Sequence, residues 1–358
     1  MGQLLSAPVK DKSITLVHGK RTSHVIGEMQ GYRASMEDAY CDTDIELTVG
    51  SLRIPVAIYG VFDGHGGGSA SKYLSENLSS AIVNVLQLEI DNMPQEKLDK
   101  LVDSTNRETA TLFNWTQLMR NVFQNMDAEF FKQPNNNCGS TAVVTVLIKN
   151  IIVTANSGDS RTVLSRSGFA KACSFDHKPK NLGELLRIHY SGGYVANNRV
   201  NGILALSRAM GDFSFKLRTR SPPEMFQVSV CPDVIIHELL PHDEFFIMAC
   251  DGIWDCLKPQ EVVKLVRHYV SLGKHLDEIA TIILDKCIDM ANTTTGIGFD
   301  NMTIIIVALL PPSLSSVLST SSSSESIPAT VVTQSEDSLH YWLTSLKTKI
   351  LDEKFGTR

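Results

Sequence analysis

Two apolar runs joined by only two residues constrain the fold of this chain more than any other feature. The runs are STAVVTVLI at 140–148 and IIVTAN at 151–156, and Lys149 and Asn150 connect them. A two-residue connection is typical of a β-hairpin, whereas parallel strands need a crossover of about a dozen residues or more. The two runs are therefore predicted to be antiparallel neighbours in one sheet.

The remaining periodic segments predict the fold class. Apolar runs predict further strands at 52–62, 161–166, 234–239, 244–250 and 302–310. Apolar residues at helical spacing predict helices at 69–90, with Ser69 as N-cap, and at 115–131, 259–272 and 275–292. Hairpin-linked strands with two separate pairs of helices favour an α+β fold with antiparallel sheets over a doubly wound parallel sheet.

The stretch IYGVFDGHGGGSASKYL at 58–74 is the first indication of function. An apolar run ends at Asp63, Gly64 and His65, and three more glycines follow. These glycines could cradle a nucleotide phosphate, or they could leave room for Asp63 and His65 to reach a metal ion and a substrate. The phosphate alternative is weakened because such loops belong to βαβ units, and this stretch has neither G-x-G-x-x-G nor GK[ST] spacing.

Acidic residues recur beside the apolar runs. Any single buried aspartate is usually a turn cap, because its carboxylate needs hydrogen bonds or a counter-charge. Several of them, surrounded by Asn and Gly, suit a hard divalent cation such as Mg²⁺ or Mn²⁺, which prefers oxygen ligands. The candidates are Glu37, Asp38, Asp63, Asp159, Asp251 and Asp300.

Composition excludes several classes of protein. The chain has 358 residues and a net charge of −6, so neither nucleic-acid binding nor a polybasic membrane patch is indicated. Its seven cysteines are scattered without a CxxC pair, which predicts reduced thiols in a cytosolic-type compartment. No apolar run approaches the ~20 residues that span a bilayer.

The two ends of the sequence differ in texture from the middle. The opening MGQLLS fits the pattern for myristoylation of Gly2, although so short a pattern also arises by chance. A single acyl chain would give only weak, reversible membrane contact. Beyond about residue 310 the chain is rich in Ser and Thr, which predicts a solvated linker. The last segment, 339–355, has the pattern of a short amphipathic helix, and both docking on the core and binding of a partner stay open.

Ten stretches between residues 29 and 310 resemble, in order, the metal-dependent serine/threonine protein phosphatases of the 2C type, the PPM family. They are MQGYRASMEDAY, YGVFDGHGG, GSTAVV, ANSGDSRTVL, DHKP, GGYV, RVNGILALSRAMGD, PDV, ACDGIWD and DNMT. The resemblance implies a four-layer αββα sandwich, with two packed antiparallel sheets and a helix pair on both outer faces. It divides the chain into an N-terminal segment at 1–23, a catalytic domain at 24–310 and a tail at 311–358.

The resemblance also assigns roles to individual residues. Two Mg²⁺ or Mn²⁺ ions would be held by Asp63 as the bridging ligand, the Gly64 carbonyl, Asp251, Asp300 and, mainly through water, Glu37. Asp38 and Asp159 would serve the outer shell or a weaker third ion, and Thr141 would hydrogen-bond within the site. Arg33 would bind the substrate phosphate, and His65 would protonate the leaving oxygen. His177 is expected to hold a loop.

The implied activity is direct hydrolysis of phosphoserine and phosphothreonine in proteins by a metal-activated bridging water. A catalytically weak, phosphatase-like regulatory scaffold and a hydrolase for small phosphate esters are the alternatives. We expect phosphoprotein substrates, no nucleic-acid partner and a monomer. A cytoplasmic location is expected, with nuclear and transiently membrane-associated forms left open.

Overall fold

The computed structural model describes residues 4–19, 22–103, 108–216, 221–309 and 330–355. Gly2, the predicted acylation site, lies outside them, as does most of the Ser/Thr-rich linker. The chain divides into two compact units. The first comprises Met1–Met36, Val163–Ala172 and Leu240–Arg358, and the second comprises Glu37–Thr162 and Cys173–Leu239.

The described residues contain strands and helices in the following order. The strands are β1 (Leu4–His18), β2 (Thr22–Arg33), β3 (Ala39–Val49), β4 (Leu52–Phe62), β5 (Gly64–His65), β6 (Gly139–Ser140), β7 (Ala142–Ile148), β8 (Ile151–Ser157), β9 (Arg161–Arg166), β10 (Phe169–Ala172), β11 (Val195–Ala196), β12 (Arg199–Val200), β13 (Met210–Gly211), β14 (Asp233–Glu238), β15 (Asp243–Ala249) and β16 (Met302–Leu309). The helices are α1 (Ser69–Asp91), α2 (Gln95–Val102), α3 (Thr109–Leu112), α4 (Trp115–Phe131), α5 (Leu182–Tyr190), α6 (Asp251–Trp254), α7 (Pro259–Ser271), α8 (Leu276–Asp289) and α9 (Thr330–Phe355).

A five-stranded antiparallel sheet is the frame of the second unit. Its strand order is β14-β8-β7-β4-β3. Ile148 pairs with Ile151 across the two-residue connection, and Lys149 has a left-handed φ of 49°. The hairpin predicted from the sequence is confirmed.

Two helices share the core of this sheet. The inner face of α4 is the predicted one, with Leu118, Val122, Met126 and Phe130 buried, and α1 buries Leu74, Leu78, Ile82 and Leu86. The N-cap of α1 is Gly68 rather than Ser69, which is the first helical residue, and no side chain caps this helix end. The expected Ser69 cap is therefore wrong.

A small sheet continues from the end of β4. Its order is β13-β6-β5, with Gly64 opposite Ser140 and His65 opposite Gly139. Met210 pairs with Ser140 from the other side. This sheet brings the segments after β4, before β7 and around residue 211 together.

The first unit contains a six-stranded sheet in the order β1-β2-β16-β15-β9-β10. Strand β1, which the sequence analysis placed in a separate N-terminal segment, pairs antiparallel with β2. The core is formed by strand residues such as Phe245 and Ile304 together with Val266 of α7 and Ile283 of α8.

Helix α9 packs on the first unit. Its residues Leu339, Trp342, Leu346 and Ile350 belong to the same apolar core as α7 and α8. The indole N–H of Trp342 donates to the Glu244 carbonyl oxygen at 3.0 Å. Of the two alternatives left open for this segment, the structure shows docking on the chain itself. Among the residues described, no helix combines the length and the hydropathy that a membrane span requires.

Candidate active site

Asp63 is fixed at the junction of β4 and β5 by Thr141. The Asp63 N–H donates to Thr141 Oγ1 at 3.0 Å, and the Thr141 N–H donates to the Asp63 carbonyl at 2.9 Å. Thr141 Oγ1 also lies 2.8 Å from Ser160 Oγ. Thr141 therefore ties the end of β4 to the turn that carries Asp159.

Residue 64 has to be glycine because the Glu37 backbone lies very close to it. A Cβ atom at residue 64 would clash with the Glu37 carbonyl oxygen, so only glycine fits. The Ser71 hydroxyl donates to the same carbonyl, and the Gly67 N–H donates to Glu37 Oε2 at 3.1 Å. The glycines after Asp63 thus position the Glu37 backbone and carboxylate.

Asp63 and Asp159 bring carboxylate oxygens within 4.8 Å of each other. Asp159 is buried, and the Lys178 ammonium pairs with its Oδ2. Its Oδ1 is buried without a hydrogen-bond partner among the described residues. An unsatisfied buried carboxylate oxygen is costly, and a divalent cation would satisfy it. These residues fit the predicted metal ion, and Asp38 is buried in the same unit.

His65 forms a close contact with Asp212, whose Oδ2 lies 2.7 Å from His65 Nε2. Burial on its own would lower the pKa of His65. The hydrogen bond and charge of Asp212, with smaller contributions from Asp159 and Glu37, outweigh burial and raise the pKa. The imidazolium form that a general acid needs is thereby favoured.

The turn that presents Asp212 is held by a buried ion pair. Asp212 has a left-handed φ of 51°, a conformation in which aspartate is enriched among non-glycine residues. The preceding Gly211 N–H donates to Asp127 Oδ1 at 2.8 Å, and Lys216 Nζ lies 2.9 Å from the same carboxylate. A Cβ at Gly139 would clash with both Asp212 and His65, so glycine leaves room for the pair.

His177 has the loop-holding position expected from the sequence. Its Nδ1 accepts the Gly158 N–H at 3.2 Å, and its Nε2 lies 3.1 Å from Asp233 Oδ2. The hydrogen bond to His177 is the main reason that the pKa of Asp233 lies well below its ordinary value. His177 therefore ties the turn before Asp159 to the start of β14.

In the first unit, Arg33 and Asp300 form an ion pair. Arg33 ends β2, and its Nη2 lies 2.5 Å from Asp300 Oδ2. The Asn301 side chain donates to the Gln30 carbonyl at 2.8 Å, which holds the Asp300 turn against the end of β2. Both charged side chains are about one-third exposed, with values of 38% and 34%. Arg33, the predicted phosphate ligand, thus contacts a predicted metal ligand.

Asp251 lies at the same end of this sheet. Strands β15 and β16 are antiparallel, with Ala249 opposite Ile304, so the residues after β15 and before β16 meet. A Cβ at Gly252 would clash with the Asn301 carbonyl oxygen. The first unit therefore brings Arg33, Asp251 and Asp300 to the same end of the six-stranded sheet.

Two residues that contact the predicted site were missed from the sequence. Asp212 lies in the MGD stretch and Lys178 in DHKP, both of which carried the resemblance. Neither was assigned a role, because each partner lies at a sequence distance that no local pattern spans: 147 residues for Asp212 and 19 for Lys178.

Comparison with known proteins agrees with this arrangement. A sequence model described as protein phosphatase 2C matches residues 22–296. Protein phosphatase 2C homolog 3 of Schizosaccharomyces pombe is 40% identical, over 87% of this chain and 70% of the relative. Protein phosphatase 2C homolog 2 of the same yeast is 41% identical, over 87% and 79% respectively.

The solved structures agree as well. A phosphatase from a pathogenic strain of Toxoplasma gondii has a TM-score of 0.65 at 25% identity, covering 84% of this chain and 96% of that one. Serine-threonine phosphatase 2C from Toxoplasma gondii has a TM-score of 0.61 at 21% identity, covering 84% and 99%. The predicted fold class is confirmed.

Fold and sequence together define this chain as a serine/threonine protein phosphatase. It belongs to the protein phosphatase 2C family. Membership implies a metal-dependent enzyme that acts on phosphoproteins, as the sequence predicted.

Proposed function

We propose that the chain hydrolyses phosphoserine and phosphothreonine by direct attack of water, without a phosphoenzyme, at a centre that holds two Mg²⁺ or Mn²⁺ ions. The observation that carries this proposal is the buried Asp159 oxygen without a partner among the described residues, next to the Asp63 carboxylate. Such a pair of carboxylates is stabilised by a cation.

The family resemblance supports the assignment of ligands. Asp63, the Gly64 carbonyl, Asp251, Asp300 and Glu37 would hold the two ions, with Asp38 and Asp159 in the outer shell or at a weaker third ion. When bound, the ions would supply Lewis-acid chemistry that lowers the pKa of water and offsets charge on phosphate. Thr141 would keep Asp63 in place through its two hydrogen bonds.

Two residues of the chain would act on the substrate itself. The planar guanidinium of Arg33 can bind two phosphate oxygens, which lysine cannot do in the same geometry. His65 would give a proton to the serine or threonine oxygen as its bond to phosphorus breaks. The raised pKa of His65 supports this role, because it favours the protonated ring.

A catalytically weak regulatory scaffold is the alternative on the same fold. Such a scaffold would be expected to lack ligands or the phosphate-binding arginine. This chain has all of them, together with the Thr141 and Gly64 contacts that position Asp63 and Glu37. The active enzyme is therefore the favoured function.

Reversible metal removal tests the proposal. EDTA should abolish hydrolysis of a phosphothreonine peptide, and either Mn²⁺ or Mg²⁺ should restore it. Asp63→Asn should cost more activity than Asp159→Asn, since Asp63 would touch both ions. Full activity in EDTA would rule out a metal centre, and equal losses in the two variants would contradict the bridging role of Asp63.

A further inference from the structure

Helix α5 in the second unit has apolar residues on two opposite faces. Its inner residue Ile188 is fully buried in a small core with Val200, Ala209 and Val228. Its outer residues Leu182, Leu186 and Tyr190 are 71%, 60% and 80% exposed. Residues four apart lie about 40° apart around a helix, so these three form one stripe. A surface helix of a globular protein ordinarily has polar residues on the face that is exposed to water.

The connection after α5 adds two more exposed apolar side chains. Tyr194 is 54% exposed and Ile203 is 67% exposed. They flank the short hairpin of β11 and β12, and the Asn201 N–H donates to the Tyr194 carbonyl at 2.8 Å. We call Leu182, Leu186 and Tyr190 the α5 apolar face, and Tyr194 and Ile203 follow it in the chain. Apolar side chains grouped in this way at a protein surface commonly mark a binding site.

Loose packing does not explain this exposure, because ion pairs and hydrogen bonds on the inner side of α5 fix the helix in place. The buried Glu184 carboxylate lies 2.8 Å from Arg187 and 2.9 Å from Arg208, and the Ser207 hydroxyl donates to it at 2.6 Å. Arg187 also donates to the Phe226 carbonyl at 3.0 Å. A preordered surface loses little conformational entropy when a partner binds.

The α5 apolar face lies close in sequence to a residue of the candidate active site. Lys178, which pairs with Asp159, lies four residues before Leu182. Between them, the Asn181 side chain donates to the Asp176 carbonyl at 2.8 Å, which orders the connection. The stripe from Leu182 to Tyr190 is about 12 Å long, a distance that roughly four residues of an extended peptide cover.

The charge around the face favours an acidic partner. The segment 178–203 has four lysines and arginines and a single acidic residue, Glu184, although the whole chain has a net charge of −6. Within the described ranges, neither Lys180 nor Arg199 forms an ion pair with a carboxylate. Acidic residues that flank an apolar segment would complement this surface.

We infer that the α5 apolar face binds an apolar, acid-flanked segment of the phosphoprotein substrate, at a distance in sequence from the phosphorylated residue. This inference rests on the function proposed above and adds a substrate class to it. Its physical basis is apolar burial on a rigid surface, with Lys180 and Arg199 selecting the charge of the partner.

The test uses the full chain in Mn²⁺ and a library of long phosphothreonine peptides that are randomised at positions remote from the phosphothreonine. Wild type should prefer peptides with Leu, Phe or Tyr beside Asp or Glu. The variant L182S/L186S/Y190S should lose the preference, with kcat/KM for preferred peptides falling about tenfold through KM. Leu88→Ser, which changes a 61% exposed leucine of α1 in the same unit, is the matched control. Hydrolysis of nitrophenyl phosphate should not change in either variant.

An unchanged peptide preference in L182S/L186S/Y190S would overturn the inference, as would an equal loss in Leu88→Ser. If the triple variant converts a dimer to a monomer in sedimentation and keeps its preference, the face binds a second copy of the chain instead. If wild type hydrolyses neither peptides nor nitrophenyl phosphate, the proposed function fails. Selection of phosphate-free peptides by the immobilised protein then still decides whether the face binds acidic, apolar segments.

Discussion

The contact between His65 and Asp212 determines which ring nitrogen can serve a leaving group. Because Nε2 lies 2.7 Å from the Asp212 carboxylate, Nδ1 is the nitrogen that can face a substrate. The left-handed turn at Asp212 and the absence of a side chain at Gly139 make this contact sterically feasible. The role proposed for His65 therefore depends on a residue 147 positions away.

Changing His65→Ala should separate substrates by their leaving group. A serine alkoxide needs a proton as its bond to phosphorus breaks, whereas nitrophenolate is stable as an anion. The variant should therefore hydrolyse phosphoserine peptides roughly 10²-fold more slowly and nitrophenyl phosphate with a much smaller loss. Asp251→Ala, measured at saturating metal, should slow both substrates alike. Equal losses for both substrates in His65→Ala would exclude a general-acid role.

Asp212→Asn should reproduce the His65→Ala pattern in weaker form. The amide keeps the size of Asp212 but loses the charge that favours the imidazolium. Because the two residues would act as one unit, the double variant should be no slower on phosphoserine peptides than His65→Ala alone. Additive losses in the double variant would show that Asp212 acts independently of His65.

Glu184 should make stability depend on pH. Burial alone would raise its pKa, but the hydrogen bond from Arg208 and the charges of Arg187 and Arg208 outweigh burial and lower the pKa. A lowered folded-state pKa stabilises the protein above the ordinary value of 4.5, and this stability is lost as pH falls through the folded-state pKa.

Glu184→Gln should accordingly lower the free energy of unfolding by about 3 kcal/mol at pH 7. It removes the carboxylate that Arg187 and Arg208 share, and of these two largely buried guanidinium groups only Arg208 keeps another carboxylate partner within the described part of the chain, Asp233. Urea unfolding at pH 7 and at lower pH measures the effect, and the difference from wild type should shrink below pH 4.5. Glu76→Gln, which changes an exposed carboxylate 3.9 Å from Lys72, should have no measurable effect. A difference that does not change with pH would contradict this assignment.

Among the secondary-structure elements, α9 makes the contacts that the sequence pattern predicted least. It places Trp342 in a T-shaped contact with Phe245, at 6.3 Å between ring centroids. Lys349 lies 3.3 Å from the buried Glu244 carboxylate, and Arg267 lies 2.5 Å from Glu353. Glu244 and Phe245 belong to β15, the strand that leads to Asp251. Helix α9 therefore stabilises the strand behind a predicted metal ligand.

Trp342→Ala should destabilise the first unit by about 3 to 5 kcal/mol, the usual range for a large buried aromatic side chain. Urea or thermal unfolding measures the loss. Tyr341→Ala is the control, because the neighbouring tyrosine is 48% exposed and should tolerate the change. Wild-type stability in Trp342→Ala would mean that α9 does not contribute to the folded core in solution.

Local patterns predicted elements better than they predicted partners. The hairpin of β7 and β8 followed from a two-residue connection, and the buried face of α4 followed from its apolar spacing. By contrast, the pattern of α9 identifies an apolar face but not the surface that covers it. The same limit applies to single residues, since Arg33 and Asp300 lie 267 positions apart in the sequence and no local pattern predicts their ion pair.

At the scale of the whole molecule, the proposed metal ligands are spread along the sequence from Glu37 to Asp300. The second unit places Asp63 and Asp159 close together, and the first places Asp251 and Asp300 at the same end of its six-stranded sheet. A ligand that binds the folded form of the chain but not the unfolded form stabilises the folded form. The gain is about 2.7 kcal/mol when the free ligand concentration is 100 times the dissociation constant. Stability should therefore depend on the concentration of divalent cation.

Thermal unfolding of the full chain should consequently shift to higher temperature as Mn²⁺ or Mg²⁺ is added, and EDTA should reverse the shift. Asp63→Asn should remove most of the shift, because the proposed role of Asp63 is to contact both ions, and Asp159→Asn should remove less. Glu76→Gln changes an exposed carboxylate that is not a proposed ligand, and it should leave the shift intact. An unfolding temperature that is independent of Mn²⁺ in wild type would contradict the metal centre without reference to activity, and an equal loss of the shift in both aspartate variants would contradict only the bridging role of Asp63.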